Sequence, residues 1–427
     1  MKIKALKIEL LNQLKNIDLD FTYPKGHSKE GQLLEKICFI GQSATGKTQI
    51  LNLIKDLIVN LFDLEVVGNS LSSKLGKQKK YAAKIILKND ESFYEFDNAS
   101  KKLSISNLQK TSTKILEFLK SVSGNVSSID LGNRENVLIS FTSDFLSQYN
   151  LNFFKMSPSE FTLLNEFYDK DVIIFDDKFN SNFIFSLLKK NLEHKAAYRL
   201  KMSELLDNGF GQDVERLIRE LNKWNLKNKN PIEDLSDKLS SVFDKLFIEL
   251  DKTDVKSTIP FKDKRTGDSI PLENLSTGTK SLLLYLIPLF LINQNDSIVL
   301  FDEPERSLFP DIQMNLIEYF KELTGDSQLI VATHSPFIAA SFEPEERFLL
   351  YFDEEGKVII ERGVSPIGDD PNDILKNDFK IDYINSYGKE AFNTYVNLKQ
   401  KIFNEKNEKN RKELLSEFEK LGDKYNF

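Results

Sequence analysis

The sequence predicts an α/β fold with an antiparallel β lobe and an inserted helical subdomain, and three features indicate this class. The apolar run KICFI leads directly into the glycine-containing GQSATGKT, and QILNLIKDLIVNLF follows with apolar residues at helical spacing. The apolar strands SIVLF and QLIVAT lie close together later in the chain, as expected of a parallel sheet. Residues 81–106 instead form short β patterns separated by turn residues, which are typical of an antiparallel meander.

The first part of the chain is predicted to consist mostly of strands. IKALKIEL and NIDLDF have β-rich patterns on either side of the turn-like LLNQLK. The meander comprises YAAKIILK, SFYEFD and KLSIS, and NVLISF is a further apolar strand that ends near Phe141. We assign residues 1–150 to the first half of the main domain.

Helical patterns dominate from about Pro158 to Asp254, with DVERLIRELNKW and LSDKLSSVFDKLFIEL as clear examples. Residues 151–260 are therefore predicted to be an inserted helical lid. The α/β pattern resumes over residues 261–360, which include a helix after LSTGTK and the strand pair RFLLYF and KVIIERG. Residues 361–427 are predicted to be a C-terminal helical extension, because two charged helical patterns end the chain.

Composition excludes several classes of protein. The chain has 427 residues and a net charge of −7, with one cysteine and three histidines. One cysteine cannot form a disulfide within the chain, and these residues are too few to ligate a zinc ion of the Cys/His kind. The apolar stretch from Leu282 to Ile292 is too short to span a bilayer, and residues 1–20 lack the apolar core of a secretory signal. We therefore expect a cytoplasmic protein without a membrane partner. The acidic balance restricts any nucleic-acid contact to a local patch.

The strongest motif is the phosphate-loop pattern GxxxxGK[ST], which the sequence matches at every fixed position between a strand and a helix. Its backbone N–H groups and the positive end of the helix can bind phosphates. Lys47 is expected to reach the β- and γ-phosphates, and the Thr48 hydroxyl to hold Mg²⁺. The predicted nucleotide-binding residues of this loop are Gly41, Gln42, Ser43, Ala44, Thr45, Gly46, Lys47 and Thr48.

Two apolar strands end in paired acids that could complete the Mg²⁺ site. Of these, Asp302 and Glu303 after SIVLF are favoured, because the next strand follows closely. Asp302 is expected to hold Mg²⁺ through water, and Glu303 to act as the general base on an attacking water. The other pair, Asp176 and Asp177, is interpreted as a capped turn or a helix start.

Two further motifs fit the same site. Ser276 is predicted to cap the helix that follows LSTGTK, with Thr277 and Gly278 in its first turn, and such a helix start can bind an anion. His334 ends the strand QLIVAT roughly 30 residues after Glu303, where an imidazole can sense a γ-phosphate.

The order of these motifs resembles the ABC-type ATPase heads of the SMC, RecF and OLD families, in the group of small AAA-type ATPases found in phage-defence operons. The phosphate loop, the LS-x-G signature, the DEP strand and the strand-end His carry the resemblance, over about residues 1–62 and 269–348. It implies a P-loop NTPase fold and ATP hydrolysis with Mg²⁺, with Glu303 and His334 as catalytic residues. It also implies that Ser276, Thr277 and Gly278 contact ATP on a second subunit, so that a homodimer or larger homo-oligomer forms around ATP.

The resemblance also suggests a biological role. An ATPase of the Septu or PARIS type would act as a sensor and scaffold that controls a separate effector, expected to be a nuclease, because the residues after His334 lack a convincing nuclease set. The alternatives are a RecF-like DNA-repair ATPase and, with less support, the ATP-binding subunit of a transporter. The best candidate for a DNA contact is the Lys74 to Lys84 cluster, although a solvated loop is the simpler interpretation.

Three features of the sequence depart from the pattern of these families or match it incompletely. The signature reads LSTGT where transporters usually have LSGGQ, and Phe309 stands where a His is often found. Gln148 is the nearest candidate for the Q-loop glutamine. Asp369 and Asp370 are interpreted as a turn.

Overall fold

The structure is a computed structural model of the chain. It describes the following residues: 1–62, 64–67, 70–73, 82–89, 92–97, 102–106, 138–146, 172–175, 182–251, 261–291, 297–381, 386–405 and 407–425.

The strands, in chain order, are β1 (Lys2–Leu11), β2 (Leu14–Asp20), β3 (Lys36–Gly41), β4 (Leu64–Val67), β5 (Ser70–Ser73), β6 (Ala82–Asn89), β7 (Ser92–Asp97), β8 (Lys102–Ser106), β9 (Leu138–Phe141), β10 (Val172–Phe175), β11 (Ile248–Leu250), β12 (Phe261–Asp263), β13 (Ser269–Ile270), β14 (Ile298–Asp302), β15 (Gln328–Ala332), β16 (Arg347–Phe352) and β17 (Val358–Arg362).

The α-helices are α1 (Lys47–Phe62), α2 (Asn182–Asp207), α3 (Val214–Lys227), α4 (Pro231–Lys238), α5 (Ser240–Lys245), α6 (Thr277–Leu291), α7 (Pro310–Gln313), α8 (Leu316–Thr324), α9 (Pro336–Ala339), α10 (Pro371–Asp373), α11 (Ser386–Asn404) and α12 (Glu408–Tyr425). None of the helices in the described part of the chain has the length and apolar character needed to cross a bilayer.

A central sheet has the order β10-β9-β14-β15-β3-β16-β17. Neighbouring strands pair in parallel, except that β17 pairs antiparallel with β16. Because strands β3, β14 and β15 are adjacent and parallel, the residues that follow them meet at one edge of the sheet. This arrangement confirms the predicted parallel core and fixes the position of the candidate site.

A second sheet, with the order β2-β1-β6-β7-β8, is antiparallel throughout. It contains both predicted N-terminal strands and the three predicted strands of the meander. The turn between β1 and β2 is only two residues long, since Leu11 pairs with Leu14. Asn12 in this turn has a left-handed φ of 52°, a conformation that Asn tolerates better than most residues.

The central sheet is covered on both faces by apolar side chains. One face packs against α1 and the antiparallel lobe, through residues such as Ile54, Leu57 and Ile3. The other face packs against α6 and α8, where the Phe301 ring stacks on Phe320 with centroids 4.1 Å apart. The α/β class predicted from the sequence is therefore confirmed.

Part of the range predicted to be a helical lid, residues 151–260, is built into this core, and its strand β10 belongs to the central sheet. Leu235 of α4, Val242 and Phe243 of α5, and Leu239 between the two helices are buried in the same cluster as residues of α6. The helix predicted from LSDKLSSVFDKLFIEL is wrong at its end, because α5 stops at Lys245 and Ile248–Leu250 is a strand. The physical reason is Phe247, whose left-handed φ of 54° breaks the helical backbone.

The C-terminal part is attached to the core by a buried ion pair. Arg347 Nη1 lies 2.9 Å from Asp378 Oδ2, and both side chains are fully buried. Beyond this point α11 and α12 form a helical pair in which the Tyr395 and Phe418 rings stack with centroids 4.2 Å apart. The two charged helices expected at the end of the chain are confirmed.

Candidate functional site

The phosphate loop connects β3 to α1, and its backbone conformation requires glycine. Gly41 has a φ of 134°, and a Cβ at this position would overlap the backbone oxygen of Leu350 on the neighbouring β16. Gln42 N–H donates to the same oxygen at 3.1 Å, which holds the start of the loop against the sheet. The first glycine of the motif is therefore needed to let the loop leave a crowded sheet edge.

Lys47 lies at the centre of this loop. Its Nζ atom donates to the backbone oxygens of Gly41 and Gln42, at 2.9 Å each, and only 6% of the residue is exposed. Burial lowers the pKa of Lys47 to about 8, against the opposing effect of the Glu303 and Asp302 carboxylates. The structure thus holds a cation inside a ring of backbone groups, where a phosphate can be bound.

Thr48 and Asp302 form the candidate metal site. Thr48 Oγ1 donates to Asp302 Oδ1 at 3.0 Å, so the loop and the end of β14 meet at these two atoms. Burial raises the pKa of the Asp302 carboxyl, although its hydrogen bonds with Thr48 and Ser143 act in the opposite direction. Hydroxyl and carboxylate oxygens are the ligands that Mg²⁺ prefers, and their separation allows both to face one cation. The donor set fits Mg²⁺.

Glu303 follows Asp302 in an unusual backbone conformation. Its φ is 51°, and its N–H donates to the oxygen of Ala332 at the end of β15, at 2.8 Å. A left-handed conformation is costly for a residue with a Cβ, and such strain is concentrated at functional sites. The turn directs the carboxylate away from the strand, with Oε2 lying 3.1 Å from Arg306 Nε.

His334 and Glu303 lie side by side, as the sequence predicts. His334 Nε2 is 3.5 Å from Glu303 Oε1, and the imidazole is partly exposed. The pKa of His334 is lowered by burial and by the charge of Lys47, whereas Glu303 raises it. The imidazole is therefore mostly neutral near pH 7 and able to donate or accept a hydrogen bond.

The signature motif begins α6, in the arrangement expected from its sequence. Thr279 N–H donates to Ser276 Oγ at 3.1 Å, which confirms Ser276 as the helix cap. Gly278 packs so closely against the next loop that a Cβ would lie 2.7 Å from the oxygen of Ser307. Ser276 and Thr277 are exposed, so the helix start faces outward while Gly278 contacts the segment that follows β14.

One residue near the site, Glu305, is not predicted from the sequence. Glu305 accepts a hydrogen bond from the backbone N–H of His334, at 2.8 Å, and its Oε2 atom is buried without a hydrogen-bond partner. Its position immediately after Pro304, in a segment that reads as an exposed turn, gave no periodic signal. The only signal in the sequence that indicates a role for Glu305 is its position two residues after Glu303.

The structure also shows the surroundings of Asp370, Phe309 and Lys84, which the sequence singles out. Asp370 caps α10 by accepting from Asn372 N–H at 2.8 Å, which confirms the interpretation as a turn. Phe309 is 75% exposed at the start of α7. Lys84 lies 3.7 Å from Asp97, so its charge is partly compensated. Outside the described residues lie Gln148, Asp176, Asp177 and the lysines from Lys74 to Lys80.

The strand order of the central sheet and the loop between β3 and α1 define an α/β P-loop NTPase. Residues 68–339, more than half of the chain, match the family described as AAA ATPase domain. The chain belongs to this family. The family match begins after the phosphate loop, so the loop is an observation independent of it.

One individual protein also matches part of the chain. The chain is 30% identical over 109 residues to the uncharacterized protein MJECL43 of Methanocaldococcus jannaschii, a stretch that covers 24% of this chain and 28% of that protein. The chain therefore matches less than a third of that relative's length.

The structure also resembles solved SMC heads. The SMC head domain from Thermotoga maritima has a TM-score of 0.42 and 12% identity, over 86% of this chain and 100% of that one. An Smc head domain with an extended coiled coil, bound to the C-terminal domain of ScpA from Pyrococcus furiosus, has a TM-score of 0.39 and 16% identity, over 84% and 96%. At these scores the similarity is too weak to assign any property to the chain.

Proposed function

We propose that this protein hydrolyses ATP with Mg²⁺, using the residues at the carboxyl ends of β3, β14 and β15. The observation that carries the proposal is the meeting of the phosphate loop with an acidic pair, through the 3.0 Å contact between Thr48 and Asp302. Glu303 and His334 lie beside that contact. A structural phosphate loop alone would not need an acid, a base and an imidazole at the same edge.

Each side chain has a role that follows from its position. The loop backbone and Lys47 bind the phosphates, since they present donors and positive charge. Thr48 and Asp302 hold Mg²⁺, which neutralises charge on the phosphates when bound. Glu303 accepts a proton from the attacking water, because its carboxylate projects from the strand end next to Asp302. His334 lies within reach of Glu303 and donates a hydrogen bond toward the γ-phosphate.

We further propose that two chains bind ATP between them. The support is the outward-facing start of α6, where Ser276 and Thr277 are exposed and Gly278 lies in the first turn. A helix start that is open to solvent in this way is a site where the phosphates of a second chain's nucleotide would bind. This arrangement is the one that the resemblance to ABC-type heads implies.

The role of a sensor and scaffold that controls a separate nuclease in anti-phage defence is part of the same proposal. Its support is the resemblance to the ABC-type ATPase heads of phage-defence operons. A RecF-like DNA clamp remains the alternative. Purification of the native complex distinguishes the two: an associated nuclease supports the first, whereas ATP-dependent DNA binding without an effector supports the second.

The ATPase proposal itself is tested by phosphate release from the purified chain. Hydrolysis is expected with Mg²⁺ and ATP, and its loss is expected when EDTA removes the metal. For the Glu303→Gln variant, the matched control is Glu322→Gln, because Glu322 is an exposed residue of α8. If neither the wild-type chain nor its complex with a copurifying partner hydrolyses ATP, the proposal is wrong.

A further inference from the structure

Glu305 is placed between the two segments that carry Glu303 and His334. Its Oε1 atom accepts a hydrogen bond from the backbone N–H of His334 at 2.8 Å. It therefore connects the segment after β14 to the segment after β15. Hydrogen bonds to a carboxylate are stronger than those between neutral groups, so this connection is a firm one.

A second connection joins Ser335, the residue after His334, to Gln313 of α7. Ser335 Oγ donates to Gln313 Oε1 at 2.6 Å, and Gln313 Nε2 donates to the oxygen of Leu308 at 2.8 Å. Ser335 N–H also donates to Thr333 Oγ1 at 2.9 Å. Glu305 thus holds the backbone N–H of His334, and Gln313 holds the side chain of Ser335, the next residue.

The position of Glu305 is costly for a residue with no function. Burial raises the pKa of its carboxyl, and Oε2 is buried without a hydrogen-bond partner among the described residues. Leaving a buried polar atom unpaired lowers the stability of a folded protein. An apolar side chain at this position would avoid the unpaired oxygen, but it would leave the N–H of His334 without the acceptor that Glu305 supplies.

We propose that Glu305 is a positioning residue for hydrolysis, whose carboxylate holds the backbone of His334 so that the imidazole stays within reach of Glu303. This inference rests on the proposed ATPase function. It assigns Glu305 no contact with the nucleotide and no proton transfer. What Glu305 supplies is a hydrogen-bond acceptor at one fixed distance from the strand end.

Two conservative substitutions separate this role from a role of the charge. Glu305→Gln keeps an oxygen at the same reach and removes the charge. Glu305→Asp keeps the charge and withdraws it by one methylene group, so that the 2.8 Å contact with His334 N–H is lost. The control is Glu322→Gln, at an exposed position of α8.

The first measurement is steady-state hydrolysis of Mg²⁺-ATP by the full chain. Glu305→Asp is expected to lower kcat by about tenfold or more, with KM changed less than about threefold, because bound ATP does not touch Glu305. Glu305→Gln is expected to retain at least about fivefold more kcat than Glu305→Asp. An active Asp variant would overturn the proposal, whether or not the Gln variant is active, and so would equal losses in both variants with a raised KM.

The second measurement does not depend on hydrolysis. The chain has three histidines, so imidazole NMR signals from selectively labelled protein can be assigned with His334→Gln. Glu305→Asp is expected to shift the His334 signal and leave those of His27 and His194 in place, whereas Glu305→Gln shifts it less. An unchanged His334 signal in Glu305→Asp would contradict the positioning role. If the wild-type chain lacks ATPase activity, the proposed function fails, and this signal still decides the role of Glu305.

Discussion

Thr48 and Asp302 are 254 residues apart in the sequence, and their side-chain oxygens are 3.0 Å apart in the structure. The contact exists because β3 and β14 flank β15 in the same parallel sheet. The loop after β3 and the acid at the end of β14 therefore reach the same edge.

Replacement of Lys47 tests the phosphate-binding loop. Lys47→Ala removes the cation that lies between the oxygens of Gly41 and Gln42. We expect ATP affinity to fall by at least about tenfold, which corresponds to about 1.4 kcal/mol of binding free energy. Titration with a fluorescent ATP analogue measures this. Lys55→Ala, a change of the same type in α1, is the control and should bind as the wild type does.

The backbone of Gly41 gives a second prediction. Gly41→Ala introduces a methyl group that overlaps the oxygen of Leu350, in addition to an unfavourable φ. We expect a loss of stability greater than the roughly 1–2 kcal/mol that a left-handed φ costs alone. Gly26→Ala is the matched control, since Gly26 also has a positive φ but has open space around it. Urea unfolding curves that are equal for the two variants would contradict this explanation.

The protonation of His334 should depend on its two charged neighbours. Its pKa is below the ordinary value of 6.5, because burial and Lys47 lower it more than Glu303 raises it. The unfolded chain therefore binds more protons than the folded chain on the acidic side of that value, and stability is expected to rise with pH through this window. NMR titration of the imidazole tests the cause: Lys47→Met should raise the pKa of His334, and Glu303→Gln should lower it. Shifts of the opposite sign would refute it.

The aromatic stack behind β14 is expected to determine stability. Phe301 is fully buried between Phe141 and Phe320, with centroids 5.1 Å and 4.1 Å away. Phe301→Ala should cost about 3–5 kcal/mol, the usual effect of removing a buried ring. Phe309→Ala is the control, because that ring is 75% exposed and its removal should change stability by about 0.5 kcal/mol or less. Thermal or urea unfolding compares the two variants.

The sequence predicts the local parts of this molecule well. The phosphate loop, the cap at Ser276 and the strands of the central sheet depend on short patterns, and these patterns are visible in the chain itself. The approach of His334 to Glu303 also follows, because both residues end neighbouring parallel strands. These are consequences of periodicity, turn chemistry and strand adjacency.

What the sequence does not reveal depends on contacts made by distant parts of the chain. The end of α5 before Phe247 depends on a left-handed residue that no pattern marks. The hydrogen bond between Glu305 and His334 joins two residues that are 29 positions apart. The joining of α4 and α5 to the core depends on apolar side chains that share one buried cluster with residues of α6. A periodic pattern contains no information about such partners.

The role of Glu303 as the base that accepts a proton from the attacking water is tested by Glu303→Gln. The amide keeps the size of the side chain but cannot accept a proton, so the hydrolysis rate is expected to fall by a factor of about 10² to 10⁴. ATP binding should persist, and light scattering should show a dimer held by unhydrolysed ATP. A Glu303→Gln variant that hydrolyses ATP at the wild-type rate would contradict the account.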